Sequence, residues 1–147
     1  MKLFDTKKSG DYIIIIGCGR LGASLANTLS DKNGSVLIMD KSKDSFRRLS
    51  SDFGGLSVVG SGTDIEALKN AEIKTADAVI AVTNDDNTNI MIAQLARDMF
   101  GVKRVIARLY DPERESVYQE LGIDTICPAV LSVKEVDKLL ENCKKEQ

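Results

Sequence analysis

Three glycines and one carboxylate give the strongest chemical signal in the chain. Gly17, Gly19 and Gly22 form a G-x-G-x-x-G pattern directly after four isoleucines, and Asp40 closes the next apolar run. This pattern between a strand and a helix is typical of a loop that holds a pyrophosphate. Asp40 stands near the usual interval of about 20 residues at which a carboxylate binds a ribose. The spacing therefore predicts a nucleotide site.

Each residue of the pattern has a physical reason. Gly17 permits a tight turn, Gly19 lets a pyrophosphate approach the backbone, and Gly22 lets the helix pack closely on the sheet. The carboxylate of Asp40 can accept two hydrogen bonds from ribose hydroxyls and would repel a 2′-phosphate, which favours NAD over NADP. Lys41 weakens that preference. The alternative is that the glycines only end a strand and that Asp40 is a solvated strand end.

Cys18, Arg20 and Leu21 fill the variable positions of the glycine loop. The guanidinium of Arg20 suits two phosphate oxygens, and the alternative is an exposed arginine in the first helical turn. The helix N-terminus and Arg20 would both lower the pKa of the Cys18 thiol, which would make it sensitive to oxidation. We favour the alternative that Cys18 is a small buried packing residue.

Polar segments follow the third, fourth and fifth candidate strands. Ligands bind at the carboxyl ends of parallel strands in open sheets, so we expect these segments at one cleft. In segment 60–64, Ser61 and Thr63 are candidates to contact the adenine or its ribose, while Thr63 or Asp64 could also only cap the following helix. Segment 83–87 would line the second half of the cleft or form a polar loop with an N-cap. Arg108 would emerge near the cleft or form a surface ion pair.

Short apolar runs alternate with helix-like segments along the chain. The candidate strands are residues 12–16, 36–40, 56–59, 78–82, 104–109 and 125–127. The candidate helices are residues 21–29, 42–50, 64–70, 87–100, 113–121 and 130–143. Several strands are apolar on both faces, as parallel strands are when helices cover both sides. This alternation predicts an α/β fold with a doubly wound, parallel, six-stranded sheet.

Composition narrows the functional classes. The 147 residues suit a single domain, and we assign it to residues 11–147, after a polar and loosely ordered segment 1–10. A net charge of -2 gives no basic surface for nucleic acid. The absence of histidine excludes imidazole general bases and most zinc sites, and three unevenly spaced cysteines provide neither a disulfide framework nor a metal site. The polar N-terminus and short apolar runs predict a cytoplasmic protein.

Together these motifs resemble the RCK N-terminal domain, the KTN or TrkA-type nucleotide-binding domain that regulates potassium transporters and channels. The resemblance covers roughly residues 11–131 and rests on segments 17–22, 40–41, 60–64, 76–87 and 105–108. The family often has Gly-Asp after the third strand, where this chain has Gly60-Ser61. Many relatives also carry a smaller C-terminal ligand domain. Whether this chain is a single-domain subunit or part of a longer one stays open.

The resemblance implies a Rossmann-like cytosolic domain that forms homodimers and often higher rings beneath a potassium-conducting subunit of the Trk or Ktr type. An adenine nucleotide in the cleft would shift the ring between shapes that open or close the pore. The expected ligand is NAD or NADH, with ATP, ADP or AMP as alternatives. The candidate cofactor-binding residues are Gly17, Cys18, Gly19, Arg20, Leu21, Gly22, Asp40, Lys41, Gly60, Ser61, Gly62, Thr63, Thr83, Asn84 and Arg108. No catalytic or metal-binding residue is expected.

The last candidate helix carries an apolar stripe of its own. Val133, Val136, Leu140 and Cys143 recur at helical spacing. This stripe would either cover the sheet or cross to a neighbouring subunit. We favour the crossing because the family uses a C-terminal crossover helix in this way.

The leading functional hypothesis is a nucleotide-sensing regulatory subunit that controls potassium transport. An NAD-dependent oxidoreductase is an alternative, although the chain has no histidine and one domain of this size leaves little room for a substrate pocket. A Rossmann-type redox sensor that regulates transcription is a further alternative, and the absence of a helix-turn-helix segment or basic face argues against it.

Overall fold

Six parallel strands form one sheet. The computed structural model describes residues 11–32 and 34–145, so the expectation for segment 1–10 lies outside the described residues. The strands are β1 (Tyr12–Ile16), β2 (Ser35–Asp40), β3 (Leu56–Val59), β4 (Ala78–Ala81), β5 (Arg104–Arg108) and β6 (Asp124–Ile126). They pair in the order β3-β2-β1-β4-β5-β6. The predicted doubly wound, Rossmann-like sheet is confirmed.

In the described part of the chain, five α-helices connect or follow the strands. They are α1 (Arg20–Asp31), α2 (Ile65–Asn70), α3 (Asp86–Gln94), α4 (Glu115–Glu120) and α5 (Pro128–Lys145). A π-helical segment, Leu95–Met99, continues α3, and the 3₁₀ segment Pro112–Arg114 leads into α4. Asp111 caps that segment by accepting the backbone N–H of Glu113 at 3.0 Å, and a proline follows it at the first helical position.

The segment predicted as a helix at residues 42–50 is helical over part of its length, but it is not an α-helix. The segment instead forms a 3₁₀ helix, Lys43–Arg48, in which no residue is buried. Phe46 and Leu49, which are three residues apart, both pack against the apolar cluster beneath the segment. This spacing suits the three-residue repeat of a 3₁₀ helix, and so short a polar segment gains too little from packing to favour an α-helix.

Two apolar clusters cover the two faces of the sheet, as a doubly wound fold requires. Alternate residues of β1 point to opposite faces, with Ile14 and Ile16 in one cluster and Ile15 in the other. The first cluster includes Leu68 of α2 and Ile92, Ala93 and Ala96 of α3 and its continuation. The second includes Ala23 and Ala26 of α1. Both faces of the central strands are therefore buried beneath helices.

Helix α5 differs from the others because none of its residues is buried. Every residue from Leu131 to Lys145 is exposed, including Val136 at 56% and Leu140 at 59%. The predicted apolar stripe is present, but it does not cover the sheet of its own chain. Among the described helices, none is both long and apolar enough to cross a bilayer.

Candidate functional site

A cleft lies at the carboxyl ends of the first four strands. Residues from β1, β2 and α3 and from the loops that follow β1 to β4 line it: Ile16, Gly17, Gly19, Met39, Asp40, Lys41, Gly60, Ser61, Gly62, Val82, Thr83, Asn84, Asp85, Thr88 and Ile92. The cleft crosses the boundary between β1 and β4, where the strand order reverses and where open α/β sheets bind ligands. Its volume of about 240 Å³ is below the 300–1,000 Å³ that is usual for ligand pockets. A nucleotide bound there would remain partly open to solvent.

The three glycines of the first loop lie in different surroundings: a side chain would collide with the backbone at Gly17 and Gly22 but not at Gly19. Gly17 has a φ of 110°, and a Cβ there would lie 2.6 Å from the carbonyl oxygen of Val82. A Cβ on Gly22 would overlap the carbonyl oxygen of Gly17, which shows how closely α1 approaches the end of β1. Gly19 has no atom within 4 Å of where its Cβ would be. The backbone of the loop is therefore open to a ligand at Gly19.

Asp40 holds the glycine loop in place. One of its carboxylate oxygens accepts the backbone N–H of Cys18 at 2.8 Å, and the other accepts the N–H of Ser42 at 2.8 Å. Each oxygen keeps a further lone pair with which to accept a ribose hydroxyl. The carboxylate thus braces the loop as well as lining the cleft.

Cys18 is buried within the loop and does not line the cleft. Its thiol donates to the carbonyl oxygen of Ser45 at 3.3 Å. Burial and then the negative charge of Asp40 raise the pKa of the Cys18 thiol, while Arg48 acts in the opposite direction. The expectation of a lowered pKa is wrong, because burial and the Asp40 carboxylate outweigh the nearby cation. The packing interpretation fits the structure.

The remaining residues of the first two motifs lie in different surroundings. Arg20 begins α1, is exposed, does not line the cleft and pairs with no described residue. Leu21 packs on the apolar cluster beneath α1. Lys41 is exposed and lines the cleft beside Asp40. Lys41 is therefore the cation nearest to a ligand among these candidates.

The loop after β3 forms one end of the cleft through Gly60, Ser61 and Gly62. Thr63 does not line the cleft, and its hydroxyl lies 2.9 Å from that of Ser61. The cap of α2 is Asp64, which accepts the N–H of Glu66 at 3.0 Å. Ser61 therefore does not cap α2, and it borders the cleft.

The loop after β4 forms the other end. Thr83, Asn84 and Asp85 of segment 83–87 line it, and so does Thr88, which lies outside that segment. Asp85 caps α3 by accepting the N–H of Thr88 at 2.9 Å and its hydroxyl at 2.7 Å. These hydrogen bonds lower the pKa of the Asp85 carboxyl. The N-cap expected as the alternative for segment 83–87 is therefore present, together with the lining of the cleft.

Arg108 lies behind the cleft and does not line it. It is 8% exposed, and its Nη2 donates to the carbonyl oxygens of Val82 at 2.9 Å and Thr83 at 2.8 Å. Its guanidinium also lies 4.9 Å from the centre of the Tyr110 ring. Neither expectation for Arg108, a charge in the cleft or a surface ion pair, matches this position. The guanidinium instead holds the backbone that forms the wall of the cleft.

Asn89 performs a related task from within α3. This fully buried side chain accepts the N–H of Thr83 at 2.8 Å and the hydroxyl of Thr83 at 2.6 Å. Its amide donates to the carbonyl oxygens of Thr83 at 3.1 Å and Arg108 at 3.0 Å. Asn89 thereby connects the ends of β4 and β5 and fixes the orientation of Thr83. Sequence reasoning missed it because a lone asparagine in a helix gives no sign of burial.

Comparison with known protein families places this geometry in context. Residues 13–128 match the family model of the TrkA-N domain. The chain is 50% identical over 115 residues to the Trk system potassium uptake protein TrkA of Streptomyces coelicolor, covering 78% of this chain and 52% of that protein. It therefore spans about half the length of this curated relative.

Solved structures agree on the fold. The TrkA-N domain of the inner membrane protein ybaL from Escherichia coli matches with a TM-score of 0.79 and 19% identity, over 88% of this chain and 96% of that one. The RCK domain of GsuK matches with a TM-score of 0.76 and 27% identity, over 91% of this chain and 29% of that one. GsuK structures bound to NAD and to ADP also match, with 21% and 20% identity.

Proposed function

Since this chain belongs to the TrkA-N domain family, we propose that it is a nucleotide-sensing regulatory module that controls potassium transport through a membrane partner. The observation that carries the proposal is the open backbone at Gly19, which lies between the carboxylate of Asp40 and the loop after β4 in one cleft. An adenosine ribose at Asp40 would place its phosphates over this backbone. The naming of the Streptomyces coelicolor relative as a potassium uptake protein supports the process.

The proposed ligand is NAD or NADH, with ATP, ADP and AMP as alternatives. GsuK, whose RCK domain is 27% identical to this chain, has been described with NAD and with ADP bound. The N–H groups at the start of α1 favour phosphates of either ligand class. The carboxylate of Asp40 suits the ribose that all these nucleotides share.

Regulation would proceed through a shift between conformations of an assembly. A ligand moves such an equilibrium only by its difference in affinity for the two states, typically about 1–3 kcal/mol. The partner would be a potassium transporter or channel subunit of the Trk or Ktr type. The chain would then be cytoplasmic and peripheral to the inner face of the membrane. This role involves no catalysis, in keeping with relatives that are named as uptake proteins.

Assembly would use α5. Its apolar side chains Val133, Val136 and Leu140 are more than half exposed. An apolar helical stripe of this length is stabilised when a second copy covers it. We propose a homodimer in which α5 crosses to the partner, with further association into a ring.

The direct test is calorimetric titration of the purified protein with NAD, NADH, ATP, ADP and AMP. Gly19→Val is the matched variant: Gly19 has an ordinary φ of -81° and open space at its Cβ position, so the fold should tolerate the side chain. Valine would block the approach of phosphates, and we expect at least a tenfold loss of affinity, or about 1.4 kcal/mol. Gly54→Ala, where the new Cβ would lie 3.4 Å from the hydroxyl of Ser30, is the control. Binding of none of the five nucleotides, or equal binding by Gly19→Val, would remove the proposal.

A further inference from the structure

The two ends of the cleft carry different charges. Asp40 and Lys41 lie together at the end of β2, whereas Asp85 lies alone after β4. Because β1 separates β2 from β4 in the sheet, these ends stand about two strand spacings apart, or ~10 Å. The glycine loop lies between them. A ligand that spans the cleft therefore presents its middle to the loop and its far end to Asp85.

One oxygen of Asp85 is available to a ligand. The helix cap uses Oδ2, which accepts both the N–H and the hydroxyl of Thr88. Oδ1 accepts no hydrogen bond from any residue between 11 and 145 that the structure describes. The same cap holds the side chain in one orientation at the edge of the cleft. Asp85 is thus a fixed anionic acceptor.

Among the described residues, no basic side chain lines the cleft beside Asp85. Of the described residues that line it, Lys41 is the sole cation, and it belongs to the opposite end. Arg108 donates to backbone carbonyl oxygens behind the wall. Arg114 lies outside the lining, where it pairs with Asp111 at 3.6 Å and donates to Asn87 at 2.9 Å, although its charge also helps to lower the pKa of Asp85. A terminal phosphate at this end would meet a carboxylate without a lining counter-charge. A hydroxyl there would find an acceptor.

We propose that Asp85 determines specificity at this site, by selecting a ligand with a second ribose over a ligand with a terminal phosphate. This inference rests on the proposed nucleotide binding and deepens it. The adenosine ribose lies at Asp40, the diphosphate lies over Gly19, and a hydroxyl of the distal ribose donates to Oδ1 of Asp85. The ligand class is therefore an adenine dinucleotide, and ATP is disfavoured.

The test compares the binding of ADP, ADP-ribose and ATP, because these ligands differ only in the group that the β-phosphate carries. We expect the wild type to bind ADP-ribose about tenfold more tightly than ADP, the usual gain from a hydrogen bond to a charged acceptor. We expect it to bind ATP more weakly than ADP-ribose. NAD and NADH should behave like ADP-ribose, because they share its distal ribose.

Two variants separate charge from hydrogen bonding. Asp85→Ser removes the carboxylate but keeps a good capping residue, so the preference for ADP-ribose over ADP should fall to about threefold or less. Asp85→Asn removes the charge and turns its donor amide towards the ligand, because its one carbonyl oxygen serves the cap on Thr88. A ribose hydroxyl can accept from that amide, so this variant should retain most of the preference while ATP binding improves about threefold. Asp52→Asn, which removes an equal charge from an exposed position outside the cleft, should change neither ratio.

The outcomes distinguish the two levels of proposal. If all three ligands bind and Asp85→Ser leaves the ADP-ribose to ADP ratio unchanged, the role of Asp85 is wrong and nucleotide sensing stands. If the wild type prefers ATP to ADP-ribose, the dinucleotide assignment is likewise overturned. If no adenine nucleotide binds, both proposals fail together. Loss of the ratio in Asp85→Ser, with unchanged affinity for ADP, supports the assignment.

Discussion

The carboxylate of Asp40 and the backbone N–H of Cys18 are joined by a hydrogen bond of 2.8 Å. The residue that the motif assigns to the ribose thus also holds the loop that the motif assigns to the phosphates. A direct hydrogen bond therefore joins the glycine loop to the carboxylate that follows it in the motif. Substitution of Asp40 consequently tests two functions together.

For this reason Asp40→Ala should lose more than ligand affinity. The sequence alone predicts weaker nucleotide binding in an intact fold. The structure adds a loss of stability of about 1–2 kcal/mol, because the N–H groups of Cys18 and Ser42 lose their acceptor. Chemical denaturation without ligand measures the stability, and titration measures the affinity. Unchanged stability would show that the brace is dispensable, and unchanged affinity would show that Asp40 does not anchor the ribose.

Arg108→Ala should destabilise the domain although the residue does not line the cleft. It would leave the carbonyl oxygens of Val82 and Thr83 without their charged donor, and we expect a loss of about 1.5–3 kcal/mol. Arg104→Ala on the same strand is the control. Its ion pair with Asp11 is 3.6 Å long and largely exposed, so its removal should cost at most about 1 kcal/mol. Equal effects of the two substitutions on urea unfolding would contradict this assignment.

The thiols should react in an order set by burial and pKa. The raised pKa and burial of Cys18 keep it a protonated thiol at neutral pH, whereas Cys143 is exposed on α5. At pH 7 we expect iodoacetamide to modify Cys143 first, and the reactivity of Cys18 to rise only as the pH increases towards its raised pKa. Mass spectrometry of the alkylated peptides over time measures both rates. Rapid modification of Cys18 at neutral pH in the folded protein would show that the loop opens.

Charge on the stripe of α5 should abolish self-association. Val136→Glu places a carboxylate on the exposed apolar stripe, where covering it with a second copy would require burial of an unpaired charge. We expect light scattering to show a dimer for the wild type and a monomer for Val136→Glu. Lys138→Glu, a change on the opposite, polar side of α5, is the matched control. A monomeric wild type, or a dimeric Val136→Glu protein, would exclude α5 as the interface.

The sheet could be predicted closely because its strands are short β-branched runs whose bounds are set by turns. The type of helix at 42–50 could not be predicted, because the spacing of Phe46 and Leu49 fits both an α-helix and a 3₁₀ helix. Only their packing on the apolar cluster decides between the two. The glycine loop was predicted for the same reason as the strands: its backbone requirements appear directly as residue types.

Arg108 and Asp85 show where such reasoning ends. A strand position near the cleft does not reveal whether its side chain enters the cleft or bonds to the neighbouring strand, and Arg108 does the latter. Asp85 belongs to a polar loop in which several side chains could face the ligand. Its contact with Thr88, rather than its residue type, fixes it at the edge. Side-chain direction is a property of tertiary packing that local sequence does not encode.

The openness of the cleft to solvent has a kinetic consequence. A molecule resting there with one side in water can depart without any segment having to unfold or swing aside. Its residence would be brief, and occupancy would follow the surrounding concentration from moment to moment. For the nucleotide-sensing role that we propose, such rapid exchange would let the domain report changes in the cell's nucleotide concentration.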